Sequence, residues 1–233
     1  MAGKRYVIGD IHGAYKALLE CFEMTSFDMD NDMLVCLGDV CDGWPEVNKV
    51  FDKLLEIKNL IYIIGNHDKW ALDWFLSHNA PSIWTMQGGR ATIESYQGGK
   101  VPESHTRLLS QAHLYYHLED MVFVHGGFDP GLPLEQQDEQ VFLWDRDLVY
   151  AALQQHDENT QHNITGFSHV YVGHTPTINL GTTQPVKACE VIMMDTGAGW
   201  PGGVLTMMDI DTHEIVQSSH VNNLYPNDKG RGY

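Results

Sequence analysis

The chain has 233 residues, with 14 lysines and arginines against 31 aspartates and glutamates, so its formal net charge is −17 when histidine is neutral. Apolar residues make up 43% of the chain, which is typical of a folded globular protein, and the length suits one large domain or two small ones. Such an acidic chain is a poor partner for duplex nucleic acid or an anionic membrane, because both attract basic surfaces. The 13 histidines are notable, since carboxylates and imidazoles together are metal ligands.

The four cysteines and the first residues indicate the compartment. No two cysteines form a C-x-x-C pair, which excludes a zinc ribbon and a thioredoxin-type motif. The opening residues MAGKRYVIGD contain no long apolar segment, and no apolar run approaches the ~20 residues of a membrane span. We therefore expect a reducing, cytoplasmic location.

The first seventy residues alternate between apolar runs and helical periodicity. Apolar runs at 5–9, 33–37 and 60–64 predict strands, and apolar residues at helical spacing predict helices over 14–22 and 47–55. Because these strands are continuously apolar and helices separate them, we expect parallel strands that are covered on both faces.

The remaining residues complete an α/β pattern with a mixed sheet. Residues 69–119 are predicted to be mostly helical, 121–125 to be a strand, 133–155 to be helical, and the region from 170 onward to be rich in strands. The polar tail over 225–233 is expected to be frayed. With no linker, charge run or internal repeat, the pattern predicts a single domain over 1–233, with its site at the C-terminal ends of strands.

Five predicted strands are each followed by a glycine-flanked turn that contains a metal-ligand side chain. In chain order the turns read GDIHG at 9–13, GDVCDG at 38–43, GNHD at 65–68, HGG at 125–127 and GHT at 173–175. Each turn alone is weak evidence, because a single histidine after a strand is more often structural. Five such turns in order indicate a metal centre.

The order of these motifs resembles that of the calcineurin-like metallophosphoesterases, from residue 6 to about residue 211. Within that superfamily it is similar to the bacterial and phage branch of Ser/Thr-type phosphoprotein phosphatases, which includes symmetrical diadenosine-tetraphosphate hydrolases. The resemblance implies a mixed β-sheet sandwich flanked by helices. It also implies hydrolysis of a phosphoprotein or a small phosphoester by direct attack of a hydroxide that bridges two divalent metal ions.

The resemblance also implies which residues hold the two metals. The first metal would bind Asp10 and His12, the second would bind Asn66, His125 and His174, and Asp39 would bridge both. A bridging carboxylate suits two ions that together clamp the attacking and leaving oxygens of an in-line displacement. Oxygen and nitrogen ligands without thiolate suit Mn²⁺, which we expect, as well as Fe or Zn²⁺.

Further residues are implied to act on the substrate. His67 would be the general acid or an electrostatic stabiliser, and Asp42 would orient it. The phosphatase branch usually has an arginine directly after the second aspartate of G-D-x-x-D, but Gly43 stands there in this chain. The oxygens of a phosphoryl group carry negative charge in the transition state and need a hydrogen-bond donor. The candidates to replace the missing arginine are Arg146, in a Trp-x-Arg segment, and Arg90. For both, the alternative is a surface or helix-pairing role.

Three functions remain open at this point. The first is a phosphomonoesterase of the Ser/Thr protein phosphatase type. The alternative is a hydrolase of diadenosine tetraphosphate, which would use the same metals on an anhydride. The third is a metal-binding interaction module without catalysis, which the presence of every inferred ligand and of His67 disfavours. The absent arginine weakens the phosphoprotein assignment and leaves metal-dependent hydrolysis intact.

Overall fold

The computed structural model describes residues 3–97, 99–157 and 163–231. Within these ranges the strands are β1 (Arg5–Ile8), β2 (Met33–Cys36), β3 (Asn59–Tyr62), β4 (Tyr115–Leu118), β5 (Met121–Val124), β6 (His169–Val172), β7 (Val186–Ala188), β8 (Val191–Met193), β9 (Thr206–Asp209) and β10 (Ile215–Gln217). The α-helices are α1 (Tyr15–Thr25), α2 (Val47–Leu54), α3 (Asn66–Ser77), α4 (Ser82–Trp84), α5 (Arg90–Ser95), α6 (Glu103–Ser110), α7 (Glu139–Trp144), α8 (Asp147–Asp157) and α9 (Val221–Leu224). Shorter helical turns lie at Thr85–Gly89, Leu134–Gln136 and Thr177–Leu180.

The strands form two five-stranded mixed sheets. The first has the order β10-β9-β1-β2-β3, with β1, β2 and β3 parallel and β9 and β10 antiparallel to their neighbours. The second has the order β4-β5-β6-β8-β7, with β5, β6 and β8 parallel between two antiparallel edge strands. Each sheet therefore brings the C-terminal ends of three parallel strands to one edge.

The two sheets pack face to face and carry helices on their outer sides. Residues of both sheets, such as Val7 and Phe123, share one buried cluster between them. The neighbouring Ile8 points to the opposite face and packs in a cluster with residues of α1, α2 and α3. The second sheet is covered by α7 and α8. Burial on both faces explains why the strands are continuously apolar, and the predicted sandwich flanked by helices is confirmed.

Three parts of the chain differ from the sequence-based expectation. The segment 69–119 is mostly helical but ends in β4, an edge strand whose aromatic residues are half-buried and give no clear periodicity. The apolar run over 186–195 is a hairpin of β7 and β8, which turns near Cys189 (φ 53°). In the tail, Tyr225 is buried and the Arg231 amide donates to the Gly199 carbonyl, so these residues pack on the domain; residues 232–233 lie outside the described ranges.

No helix in the described ranges is both long and apolar enough to span a lipid bilayer.

Candidate metal centre

The five glycine-flanked turns meet at the edge where the parallel strands of both sheets end. The turns after β1, β2 and β3 come from the first sheet, and those after β5 and β6 from the second. Glycine is required where backbone approaches a ligand: a Cβ at Gly65 would overlap Oδ1 of Asp39, and a Cβ at Gly173 would overlap Oδ1 of Asp10.

Several site residues have left-handed backbone conformations that side chains rarely adopt. They are His12 (φ 49°), Asp39 (φ 47°), Asp42 (φ 71°) and His174 (φ 59°). Each such residue costs on the order of 1–3 kcal/mol and persists only where its surroundings hold it. Clustering of this strain at one edge indicates that the turns are held in a conformation that serves the site.

The predicted ligands form two groups that share one carboxylate. Asp10, His12 and Asp39 form one group, Asp39, His125 and His174 form the other, and within each group the ligand atoms lie within 4.8 Å of one another. Oδ2 of Asp39 is 3.4 Å from Nε2 of His125 and 3.9 Å from Nε2 of His12. The side chain common to both groups is therefore the one predicted to bridge two metals.

The histidine rings are held so that one nitrogen of each remains available. Nδ1 of His12 is 2.8 Å from the Cys41 carbonyl, and Nδ1 of His125 is 2.8 Å from the Leu37 carbonyl. Since Nδ1 of both rings donates to a carbonyl, Nε2 is the nitrogen of each ring that would bind a metal. Nε2 of His174 is buried without a hydrogen-bond partner among the described residues.

Asn66 adds a further oxygen to this donor set. It is the first residue of α3, and its Oδ1 lies 3.0 Å from Nε2 of His125. The result is a buried set of carboxylate, amide and imidazole donors that includes a nitrogen, Nε2 of His174, without a hydrogen-bond partner among the described residues. That set fits divalent cations of the Mn²⁺, Fe or Zn²⁺ type.

The charges at the site also favour cations. Burial raises the pKa of Asp10 well above its usual range, and the neighbouring Asp195 carboxylate raises it further. Burial alone would raise the pKa of Asp39, but the charges of His125 and His67 outweigh it and lower that pKa. Burial lowers the pKa of His125, but Asp39 reverses this and raises it to about 9. Buried carboxylates that depend on nearby positive charge are the expected surroundings of a bound dication.

His67 and Asp42 form a buried pair beside the predicted ligands. Nδ1 of His67 is 2.6 Å from Oδ2 of Asp42, and the His67 amide donates to Oδ1 of Asp39 at 2.9 Å. Two residues that sequence reasoning missed complete the pair: Trp84 Nε1 donates to Oδ2 of Asp42 at 2.8 Å, and Thr92 Oγ1 donates to Oδ1 at 2.6 Å. Asp42 is thereby fully hydrogen-bonded and fixes the His67 ring.

The two candidate arginines lie in different places. Arg146 lines a cavity of about 150 Å³ together with Asp39, Asn66, His67 and His174, and its Nη2 donates to the His174 carbonyl at 3.4 Å. Arg90 is exposed and lines a separate cavity of about 470 Å³. The structure therefore brings Arg146 to the predicted ligands and leaves Arg90 outside their cavity.

Asp68 is a further residue whose part at the site was not predicted. Its Oδ1 accepts from the amides of Val40 and Cys41 at 3.0 and 3.1 Å, and its Oδ2 accepts from the Tyr62 hydroxyl at 2.9 Å. Burial raises the pKa of Asp68 to about 6. Asp68 thus holds the loop that follows Asp39, and its place at the end of GNHD was the only signal.

Asp195 and Arg231 were also missed. Asp195 is a buried carboxylate next to the ligands that accepts from the Gly197 amide at 2.9 Å, and burial raises its pKa to about 6. Arg231 lines the same cavity as Arg146. No motif marked either residue, because Asp195 follows a plain apolar strand and Arg231 lies in the tail that was expected to be frayed.

Comparisons with known proteins agree with this geometry. A family model described as calcineurin-like phosphoesterase matches residues 3–180. Serine/threonine-protein phosphatase 1 of Salmonella typhimurium is 28% identical over 217 residues, which cover 88% of this chain and 91% of that protein. The asymmetrical bis(5'-nucleosyl)-tetraphosphatase PrpE of Bacillus cereus is 24% identical over 235 residues, which cover 90% of this chain and 92% of that protein.

A solved structure agrees with the fold. The protein serine/threonine phosphatase of Saccharomyces cerevisiae superposes with a TM-score of 0.63 at 14% identity, covering 99% of this chain and 84% of that one. The family match extends over most of the chain, which also carries two groups of potential metal ligands. The chain therefore belongs to the calcineurin-like phosphoesterase family and is a hydrolytic phosphoesterase.

Proposed function

We propose that the protein is a dinuclear metal-dependent phosphatase that hydrolyses phosphomonoesters, as a Ser/Thr-type protein phosphatase does. The observation that carries this proposal is that Asp39 belongs to both groups of potential ligands, which is the arrangement that two neighbouring dications need. The similarity to a Ser/Thr phosphatase over 88% of the chain supports the substrate class.

The metals would be held by the residues already described. Asp10, His12 and Asp39 would hold the first ion, and Asp39, Asn66, His125 and His174 the second. We expect Mn²⁺, with Fe or Zn²⁺ as alternatives. When bound, two dications polarise phosphoryl oxygens and make water acidic enough to supply hydroxide near neutral pH.

His67 would supply the proton that the leaving group needs. Its Nδ1 is engaged by Asp42, so Nε2 is the nitrogen left to face the cavity that His67 lines. From there it can protonate the departing alkoxide. Asp42 would keep the ring in this orientation, and Trp84 and Thr92 would hold Asp42.

Arg146 would bind the phosphoryl group. Arg146 lines the metal cavity, and within the described ranges its guanidinium makes one long hydrogen bond, to the His174 carbonyl, so other N–H groups can bind a substrate. Charge-assisted hydrogen bonds from such a fork stabilise the charge on phosphoryl oxygens.

A hydrolase of dinucleoside polyphosphates is the second candidate. The larger cavity of about 470 Å³ shares Arg231 with the metal cavity and is also lined by Arg90, a cation that suits the further phosphates of an anhydride. The same cavity is lined by Glu94 and Asp228, which offset part of that positive charge. For this reason we place the phosphomonoester first.

A substrate panel separates the functions. The protein loaded with Mn²⁺ would be given a phosphoserine or phosphothreonine peptide, diadenosine tetraphosphate and p-nitrophenyl phosphate. We expect phosphate release from the peptide and from p-nitrophenyl phosphate. Hydrolysis of the dinucleotide alone would overturn the first choice in favour of the second. A metal-loaded protein that is inert towards all three would support an interaction module without catalysis.

We also propose a cytoplasmic location. All four cysteines are free thiols, and Cys21, Cys36 and Cys41 are buried. Free buried cysteines are the usual state in a reducing compartment.

A further inference from the structure

The position directly after Asp42 has no side chain, and another residue occupies the space beside it. Gly43 has a φ of +100°, a conformation that strains any other residue. A Cβ placed there would lie 3.2 Å from Cγ of Arg231, tighter than ordinary contact. Position 43 therefore has no arginine, but the side chain of Arg231, from the C-terminal end of the described chain, lies beside it.

Hydrogen bonding and ring contacts hold the tail in this position. The Arg231 amide donates to the Gly199 carbonyl at 2.8 Å, and its Cζ lies 4.8 Å from the centre of the Trp200 ring. Tyr225 stacks on Trp44 with ring centres 5.3 Å apart, which fixes the start of the tail. The position of Arg231 is thus built by tertiary packing.

The guanidinium itself has few partners and points at the metal ligands. Its Nη1 lies 3.2 Å from Nε2 of His12, the nitrogen that is predicted to bind a metal. Its Nε is buried and has no hydrogen-bond partner in the parts of the chain that the structure describes. Arg231 lines the metal cavity together with Asp39, His67 and Arg146.

Binding of a cation at His12 would leave Arg231 in need of an anion. A dication bound at Nε2 of His12 would use the lone pair that now accepts from Nη1 of Arg231, so the arginine would lose that hydrogen bond. The guanidinium would then have free N–H donors in the cavity that a substrate would enter. A phosphoryl group supplies the acceptors, because its oxygens match the planar fork of arginine.

We infer that Arg231 binds the phosphoryl group of the substrate, in place of the arginine that the family has after the second aspartate, and that it does so beside Arg146. The inference rests on the proposed function and adds a specificity residue to it. It also assigns a role to a tail residue that no motif marks, and it explains why Gly43 is compatible with an active site.

The test compares Arg231→Met with Arg107→Gln. Methionine keeps the apolar stem that packs at Gly199 and removes the guanidinium. Arg107 is an exposed arginine of α6 paired with Glu103, so its replacement gives the same loss of charge away from the site. Calorimetry would measure the Kd of inorganic phosphate for the Mn²⁺-loaded variants, alongside kcat/KM on p-nitrophenyl phosphate and metal content.

We expect Arg231→Met to weaken phosphate binding about tenfold and to lower kcat/KM about thirtyfold, with metal content unchanged, because a charge-assisted hydrogen bond is lost. Arg107→Gln should match the wild type. Phosphate affinity within twofold of the control would overturn the inference. Loss of metal from Arg231→Met would also overturn it, because Arg231 would then be needed to keep the metal centre intact.

If Arg231→Met does not fold, Arg231→Lys provides the test. We expect weaker phosphate binding, because an ammonium cannot form the two parallel hydrogen bonds of a guanidinium, and unchanged binding would overturn the inference.

The calorimetric measurement separates this inference from the proposed function. Phosphate binding needs no turnover, so a protein that hydrolyses none of the substrates can still lose phosphate affinity in Arg231→Met. That result would reject the proposed function and retain the role of Arg231. Hydrolysis by the wild type with unchanged phosphate affinity in Arg231→Met would retain the proposed function and reject the role of Arg231.

Discussion

The metal side and the substrate side of the cavity are built in different ways. On the metal side, the Cys41 carbonyl holds the His12 ring, the Leu37 carbonyl holds the His125 ring, and the His67 amide holds Asp39. On the substrate side, Arg146 makes a long hydrogen bond of 3.4 Å to the His174 carbonyl, and Arg231 reaches the cavity from the tail. One side is pre-organised by its own turns, and the other is assembled from distant segments.

The difference suggests a division of roles: the metal side would determine the reaction, and the substrate side would determine which substrate binds. Ligands that must meet an ion within a few tenths of an ångström need a supporting shell, and short turns after strands provide it. Cations that bind a substrate can come from loops and tails, which vary more easily than the scaffold. Arg231, which we infer to act in place of an arginine after Asp42, would be an example of such variation.

The largest effect is expected from the carboxylate that the two ligand groups share. Asp39→Asn should lower metal content and reduce kcat/KM by about a thousandfold or more, since metal stabilisation of the transition state supplies several kcal/mol. Metal analysis and kinetics on p-nitrophenyl phosphate measure both. The control is Asp73→Asn, an exposed aspartate on α3. Full metal content and activity in Asp39→Asn would show that Asp39 is not needed to hold the metals, and would contradict the proposed metal side.

His67→Gln should retain its metals and lower kcat on a phosphoserine peptide by about 10²–10⁴-fold, the usual contribution of a general acid. The loss should be smaller on p-nitrophenyl phosphate, because p-nitrophenolate leaves without a proton. His117→Gln, at an exposed histidine, is the control. Equal losses on both substrates would contradict proton donation by His67.

Arg146→Ala tests the substrate side alone. Removal of a charge-assisted contact should lower kcat/KM by tens-fold, with metal content preserved. Kinetics on the phosphopeptide and metal analysis are the measurements, with Arg107→Gln as the matched control. Unchanged kinetics would exclude Arg146 as a phosphate-binding residue.

The smallest effect concerns a buried histidine outside the cavity. His105 contacts the Tyr96 hydroxyl at 2.9 Å and Asp52 at 3.0 Å, and burial lowers its pKa below the ordinary value of 6.5. The unfolded chain therefore binds a proton at His105 more readily, and stability should fall as pH drops through about 6.5. Urea unfolding should show a steeper fall for the wild type than for His105→Gln. Identical slopes would show that His105 titrates alike in both states.

The metal side could be predicted from the sequence because its information is local. Each ligand lies within a few residues of a continuously apolar strand, and parallel strands bring their ends to one edge. The family resemblance implied that Asp42 orients His67, and Nδ1 of His67 lies 2.6 Å from Oδ2 of Asp42. The α/β pattern with a mixed sheet also came from local patterns, and the sandwich flanked by helices that the family resemblance implied is confirmed.

The remaining features depend on contacts between distant segments. Trp84 and Thr92 support Asp42 only because α4 and α5 fold over the turn after β2. Arg231 reaches the cavity because Trp44, Gly199 and Trp200 hold a polar tail whose composition suggests fraying. Strand β4 is an edge strand with mixed exposure, so its residues lack a clear period. Such features are determined by tertiary packing, which no local pattern reports.

Anomalous diffraction from crystals of the Mn²⁺-loaded protein is the most direct test of the central claim. The account predicts two anomalous peaks, with Asp39 bound to both, Asp10 and His12 at one, and Asn66, His125 and His174 at the other. A single peak, or two peaks that do not share Asp39, would contradict a dinuclear centre at this site.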